Sequence, residues 1–212
     1  HDFGSPDCHY FNSVDEIKAR NLLDDERFWA QEKMDGRRMM LSRLFGNVTG
    51  INRIGLSIGT PQSIEHALNK FEVDCILDGE GIGDKFFAFD LLSMNGIDLR
   101  NHSFRERYRQ LYNLLTVNTS KSIELVEVAM EARTKHILFE RLQREQREGI
   151  VFKYRDAPYT PGRPASGGSQ LKFKFYATAT CIVARINAGK RSVALEVIDD
   201  AGQGVSVGNV TI

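Results

Sequence analysis

The sequence predicts an α+β protein: a domain of antiparallel sheets flanked by helices over residues 1–174, then the opening strands of an all-β unit over 175–212. Two observations carry this. Up to residue 174, stretches with helical periodicity alternate with short strand-like runs. Beyond it every apolar run is strand-like and glycine turns separate the runs. The length, 212 residues, suits one large domain plus part of a second.

Taken in order, Ser13 is a plausible cap for a helix over 13–27, with Val14, Ile17, Leu22 and Leu23 as its apolar positions. Phe28–Leu44, a Gly46-Asn47 turn and Val48–Ile58 read as strand, turn, strand. Thr60 as cap and Pro61 at the first helical position open a helix through Phe71, with Ile64, Leu68 and Phe71 on one face. Cys75–Ile82 and Lys85–Leu92 form a hairpin at Gly83-Asp84. Ser103 and Glu106 make a capping box for a helix that buries Phe104, Tyr108, Leu111 and Leu115. Ile123–Val128 is a strand, and Thr134–Gln146 a helix with Ile137, Leu138 and Leu142 inward. Gly149–Tyr154 is a strand, and Asp156–Gly168 a loop dense in Pro, Gly and Ser. Thr178–Ile186, Ser192–Ile198 and Val205–Ile212 are the late strands. Three strands cannot close a barrel, so the native protein is expected to continue or this chain to have been trimmed. His1–Pro6 is left out of the fold reading.

Composition narrows the class. Lys+Arg and Asp+Glu both number 28, so bulk charge does not announce a polyanion partner. No run is long and apolar enough for a membrane helix. Three scattered cysteines, Cys8, Cys75 and Cys181, fit neither a disulfide framework nor a zinc site, which points to the cytoplasm, or to a nuclear or virus-infected compartment for a non-bacterial source. Charge is local instead: residues 141–174 carry eight basic groups against three acidic ones. That stripe suits a phosphate backbone, with Arg155 and Arg163 on the loop as the contacts favoured for nucleic acid; a merely solvated helix face at Arg141, Arg144 and Glu145 is the plain alternative.

The chemistry concentrates in Lys33-Met34-Asp35-Gly36-Arg37-Arg38. A lysine is a nucleophile only when deprotonated, and burial or neighbouring cations favour that form. Alone the string reads as a surface turn. Asp78-Gly79-Glu80, Phe87-Ala88-Phe89-Asp90, Glu148 to Lys153 and Lys172-Phe173-Lys174 change that reading. Lys172 and Lys174 share a strand face, and two ammonium groups at one spot call for an anion, most naturally a phosphate.

This ordered set resembles the covalent nucleotidyltransferase superfamily of ATP-dependent polynucleotide ligases and mRNA capping enzymes. Lys33–Arg38 is similar to its K-x-D-G-x-R motif, and Arg53-Ile54-Gly55 to its R-x-G motif. Residues 87–111 are most similar to ATP-dependent DNA ligases. The resemblance spans about residues 13–174, with a weaker echo of an OB-fold after it, and implies an ATP-grasp-like nucleotidyltransferase domain. It implies Lys33 as the nucleophile that forms lysyl-AMP, passes AMP to the 5′-phosphate of a DNA nick and allows a 3′-hydroxyl to seal it. Asp35 and Arg38 would position the 3′-hydroxyl and phosphates. Arg53 would hold the nick phosphate, Glu80 the ribose, and Phe89 would stack on adenine, although Phe89 also reads as plain core. Gln31 would meet the base edge, with Glu32 beside it in the nucleotide-binding set. Lys172 and Lys174 would grip the α-phosphate. Glu148, with Glu80, would bind Mg²⁺; pairing of Glu148 with Arg144 or Arg147 is the plain alternative. The implied partners are ATP and nicked duplex DNA, met by a monomer, in replication, repair or recombination.

Three departures from the family pattern stand out. Gln31 replaces a frequent Glu, Gln170 replaces a frequent Trp, and the final R-x-D-K-like motif of the OB-fold has no counterpart, so this chain is expected to bind ATP yet perform the first step poorly. RNA ligase, capping guanylyltransferase and a non-catalytic nucleotide- or nucleic-acid-binding relic are the other readings.

Overall fold

The computed structural model describes residues 8–175, 180–199 and 201–211. Its contacts divide the chain into two compact units, the first ending at Phe175 and the second starting at Tyr176. The secondary structure is mixed α and β, as the sequence predicts. No helix among the described residues is long and apolar enough to cross a membrane.

In the first unit the strands are β1 (Asn12–Ser13), β2 (Phe28–Lys33), β3 (Arg37–Leu44), β4 (Asn47–Asn52), β5 (Ser57–Ile58), β6 (Cys75–Ile82), β7 (Lys85–Met94), β8 (Ile97–Asp98), β9 (Ile123–Leu125), β10 (Val128–Ala129), β11 (Gly149–Tyr154) and β12 (Gln170–Lys174). The helices are α1 (Glu16–Asp24), α2 (Gln62–Asn69), α3 (Phe104–Val117) and α4 (Ala132–Arg144). One sheet runs β1-β12-β11-β2-β10. The other runs β5-β4-β3-β6-β7-β8, with β9 beside β7.

Side-chain alternation assigns the faces of the first sheet. Ala30, Ile150, Phe152 and Leu171 pack with Leu22 and Leu23 of α1 and with Phe139 and Leu142 of α4. The residues between them, including Gln31, Lys33, Val151 and Lys172, are left for the opposite face. The second sheet buries Leu41, Leu77, Phe86 and Leu91 with Ile64 and Leu68 of α2 and Leu111 of α3. Each sheet thus has its own helical layer.

Several elements differ from expectation for identifiable reasons. Ser13 is not the cap of α1; it pairs beside Lys172 in β1, and Asp15 caps the helix by accepting from Lys18 N at 2.8 Å. Ile17 is 75% exposed. The run Phe28–Leu44 is two strands in two sheets, broken at Met34–Gly36. A Cβ on Gly36 would meet Gly81 O at 2.5 Å, so the crossing requires glycine. Pro61, with an extended ψ of 138°, is itself the N-cap of α2, and Thr60 lies outside it. Ile123–Val128 splits, because β9 joins β7 in parallel while β10 joins β2 antiparallel. α4 starts at Ala132, and Ile137 is exposed. The Gly83 hairpin and the Ser103–Glu106 capping box form as the sequence predicts.

The second unit is a three-stranded antiparallel sheet, β13 (Ile182–Ile186), β14 (Ser192–Ile198) and β15 (Gly204–Thr211). The expected strand start at Thr178 and end at Ile212, and the His1–Pro6 segment, lie outside the described residues.

Candidate active site

Lys33 ends β2, directly before the crossing. Strand register places it opposite Gly149 of β11, which in turn stands opposite Lys174 of β12. Two residues along, Gln31, Val151 and Lys172 form the next row on the same face. Glu148, just before Gly149, accepts from Lys33 Nζ through one carboxylate oxygen and from Lys174 Nζ at 2.9 Å through the other. Burial pushes the Glu148 carboxyl up, but the two lysines outweigh it and hold the group below the usual carboxylate range. Glu148 thus pairs with lysines rather than with Arg144 or Arg147. Lys172 is made less basic by burial and then by repulsion from Lys33, Arg163 and Lys174. An anion placed there would relieve that repulsion.

A pocket of about 220 Å³ opens beside Lys33, lined from the first sheet by Gln31, Val151, Lys153 and Lys172 and from the second by Arg38, Glu80 and Phe89. Gln31 Nε2 donates to Val126 O at 3.0 Å. Its Oε1 is buried without a hydrogen-bond partner among the described residues. Turning the amide over would set oxygen against the Val126 carbonyl, so the group left without a partner is an acceptor. A base edge carrying an amino group fits it, and a carbonyl edge does not.

Arg38 donates twice to Asp78, at 3.0 and 2.7 Å, and that carboxylate keeps it charged despite burial. Its guanidinium lies 4.9 Å from the Phe89 ring centre and 5.0 Å from that of Phe11. Lys153 Nζ sits 4.6 Å from the Phe89 ring centre, and burial lowers its pKa to about 8. Phe89 is buried and also forms part of the pocket wall. Burial raises the Glu80 carboxyl to about 7, with Arg38 and Lys33 pulling it back down.

The other residues singled out from sequence divide. Arg53 and Arg163 line the pocket, both exposed. Asp35 is exposed in the crossing and Lys174 at the rim, outside the lining. The Glu32 side chain is taken by Arg147 at 2.6 Å. Arg155 is away from the pocket, with Asp156 3.4 Å from it. Among the described residues no group of three or more His, Cys, Asp or Glu clusters as a metal site. Mg²⁺ commonly takes one or two carboxylates and completes its shell with phosphate oxygens and water, so Glu148 and Glu80 remain a fitting donor set.

Sequence reasoning missed the segment before β1. Cys8, Tyr10 and Phe11 wall the pocket, and the segment is tied down by Tyr10 N to Gly162 O at 2.9 Å and by Asn12 Nδ2 to Gly167 O at 2.8 Å. It also missed Tyr159, whose hydroxyl donates to Asp78 at 2.9 Å behind Arg38. Neither carries a local signal: both act through partners about 150 or 80 residues away.

A family model described as RNA ligase matches residues 26–173. No curated protein matches the sequence. Among solved structures, a mycobacterial DNA ligase D complexed with ATP is 22% identical with a TM-score of 0.66, over 98% of this chain and 72% of that one. A Lig E DNA ligase is 19% identical with a TM-score of 0.62, over 96% and 84%. Chlorella virus DNA ligase-adenylate is 16% identical with a TM-score of 0.59, over 97% and 82%. The fold of this chain is that of these ligase domains.

Proposed function

Because this chain belongs to the RNA ligase family of covalent nucleotidyltransferases, we propose that it is an ATP-dependent DNA ligase acting through Lys33. The observation that carries the reading is the row Lys33–Gly149–Lys174, with Glu148 holding both ammonium groups beside a pocket whose buried Gln31 oxygen awaits a donor.

Adenine fits with its amino group toward Gln31 Oε1 and its face against Phe89. Lys172 and Lys174 draw the α-phosphate to Lys33. The Lys33 amine, having lost a proton, attacks the α-phosphorus; the N–P bond forms as the bond to pyrophosphate breaks. A DNA 5′-phosphate oxygen then attacks the same phosphorus and releases Lys33. Finally the 3′-hydroxyl gives up its proton, attacks the 5′-phosphate and expels AMP. At each stage the chain neutralises charge on phosphate oxygens and holds groups in line. Glu148, with Glu80, would hold Mg²⁺, which when bound supplies further positive charge to those oxygens. Arg53 and Arg163, exposed in the pocket lining, would meet the polynucleotide phosphates. The second unit would supply the beginning of an OB-fold.

An RNA nick is the second reading, favoured by the RNA ligase description of the matched family. Intact mass of the full-length gene product after incubation with ATP or GTP and Mg²⁺, followed by sealing assays on nicked DNA and nicked RNA, tests both. The expected result is one AMP adduct, absent in Lys33→Ala, and sealing of DNA. A GMP adduct, or sealing of RNA alone, would overturn the DNA ligase reading. No adduct with either nucleotide would leave a binding protein.

A further inference from the structure

A second cleft of about 550 Å³ lies apart from the nucleotide pocket, at the far end of β2 from Lys33. Trp29, Tyr108 and Tyr112 give it aromatic walls, Met130 adds an apolar one, and Arg105 and Arg109 line it with guanidinium groups. Arg105, Arg109 and Tyr112 recur at helical spacing on α3, so they form one exposed stripe. Trp29 is half-buried and held edge-on by Phe104 at 6.1 Å, while Tyr108 is anchored by its hydroxyl to Val126 O at 3.1 Å. Tyr112 and Met130 are 53% and 43% exposed. This is rigid aromatic surface left in water.

Its charge favours an anion. The one carboxylate in the lining, Glu106, is engaged by Ser103 Oγ at 2.6 Å and Ser103 N at 3.1 Å. Arg105 is 3.3 Å from Asp156, which it shares with Arg155. Arg109 has no ion pair among the described residues. Backbone bonds of 2.9 Å run from Arg105 N to Arg155 O and from Arg155 N to Arg27 O, which brings the three backbones together at this edge, with the Arg27 guanidinium held by Asp25 at 2.7 Å. Arg155, chosen from sequence as a nucleic-acid contact, therefore stands beside this cleft and not beside the nucleotide pocket. Flat aromatic faces with guanidinium groups alongside match bases and phosphates of an unpaired strand, whereas a duplex keeps its base faces stacked inside.

We propose that the cleft between β2 and α3 binds single-stranded DNA, with bases stacked on Trp29 and Tyr112 and phosphates held by Arg105 and Arg109. The inference rests on the reading of the chain as a polynucleotide ligase and adds a second contact surface, outside the reacting pocket, for an unpaired stretch of its substrate.

Trp29 is the one tryptophan of the sequence, so its fluorescence reports occupancy of this cleft. The full chain is titrated, without ATP, with oligothymidine lacking a 5′-phosphate and with oligouridine as a second arm. Lysyl-AMP formation is measured on the same preparations. The expected result is quenching by oligothymidine that weakens with salt, with affinity falling about tenfold in Tyr112→Ala and in Arg109→Ala and recovering in Tyr112→Phe. AMP transfer to Lys33 stays unchanged in all three variants. Absence of quenching, quenching in both alanine variants with the affinity of the parent, or quenching by oligouridine alone would overturn the inference. A full-length gene product that forms no AMP adduct defeats the ligase reading instead, and quenching still decides whether the cleft binds the strand.

Discussion

Lys33 and Gly149 stand directly opposite each other across β2 and β11, and the missing side chain at 149 leaves the row between Lys33 and Lys174 open. A Cβ on Gly149 would meet Phe173 O at 2.2 Å and Lys174 Cα at 3.0 Å. Both are backbone atoms of β12, so the strand must shift and carry Lys172 and Lys174 with it. Gly149→Ala is expected to cost about 1–3 kcal/mol of stability, as overpacking does. It should also slow lysyl-AMP formation at least roughly tenfold, the price of misplacing catalytic groups by a fraction of an ångström. Thermal melts and single-turnover labelling with ATP check the two effects; unchanged labelling would mean that the row is not the phosphate grip.

Glu148 neutralises both lysines. In Glu148→Gln the amide retains the size of the side chain but not its charge, so Lys33 and Lys174 face each other uncompensated and the carboxylate proposed to hold Mg²⁺ is lost. Lys174 is about half exposed and its charge can be screened by water, which limits the loss of stability. The expected result is a fall of about 10²–10³ in AMP transfer, the scale of removing one electrostatic contact from a reacting centre, with a melting temperature close to that of the parent. A variant that melts far earlier, or transfers AMP normally, would contradict this assignment.

On the proposed reading, Gln31 chooses the nucleotide by what it can still accept. Its amide nitrogen is spent on Val126 O, so its buried oxygen is an acceptor left without a partner, suited to an amino group. Removing it in Gln31→Ala should narrow the preference for ATP over GTP by about 5–100-fold, the range for one buried hydrogen bond. Competition labelling with both triphosphates measures the ratio directly. An unchanged ratio would place base recognition elsewhere.

Much of this was legible in the sequence because the informative signals are local. The capping box at Ser103 and the Gly83 hairpin each need only a few consecutive residues, and alternation along β11 and β12 was enough to put Lys172 and Lys174 on one face. The site motifs were legible as an ordered set, and the structure brings Gln31, Lys33, Arg38, Glu80, Phe89 and Lys172 to one pocket. What sequence could not supply were partners fixed by distant chain. Nothing near Glu32 indicates that Arg147 will take its side chain, and nothing near Arg155 places it beside α3. Asp35-Gly36 marks a turn within the Phe28–Leu44 run, but that the two strands enter different sheets, with Gly81 packed against Gly36, depends on distant chain. Gln170, in the place of a frequent Trp, likewise makes sense only beside His9.

That last pair yields a pH dependence. His9 is buried, and its Nδ1 accepts from Gln170 Nε2 at 3.1 Å and from Thr160 N at 3.3 Å. A proton on Nδ1 would oppose both donors. Burial first, then the charges of Arg38 and Lys153, lower its pKa from 6.5 to about 4, with Asp90 pulling the other way. Between those values the unfolded chain holds a proton on this histidine that the folded chain does not. Folding stability therefore rises with pH across the window and is lost as pH falls from 6.5 towards 4. The slope from one such group is at most about 1.4 kcal/mol per pH unit. Urea midpoints at several values between pH 7 and pH 4.5 should fall more steeply for the parent than for His9→Asn, which offers Gln170 an acceptor that does not titrate. Carboxylates contribute equally to both proteins, so the difference isolates His9, and parallel curves would show that His9 is not held neutral by the fold.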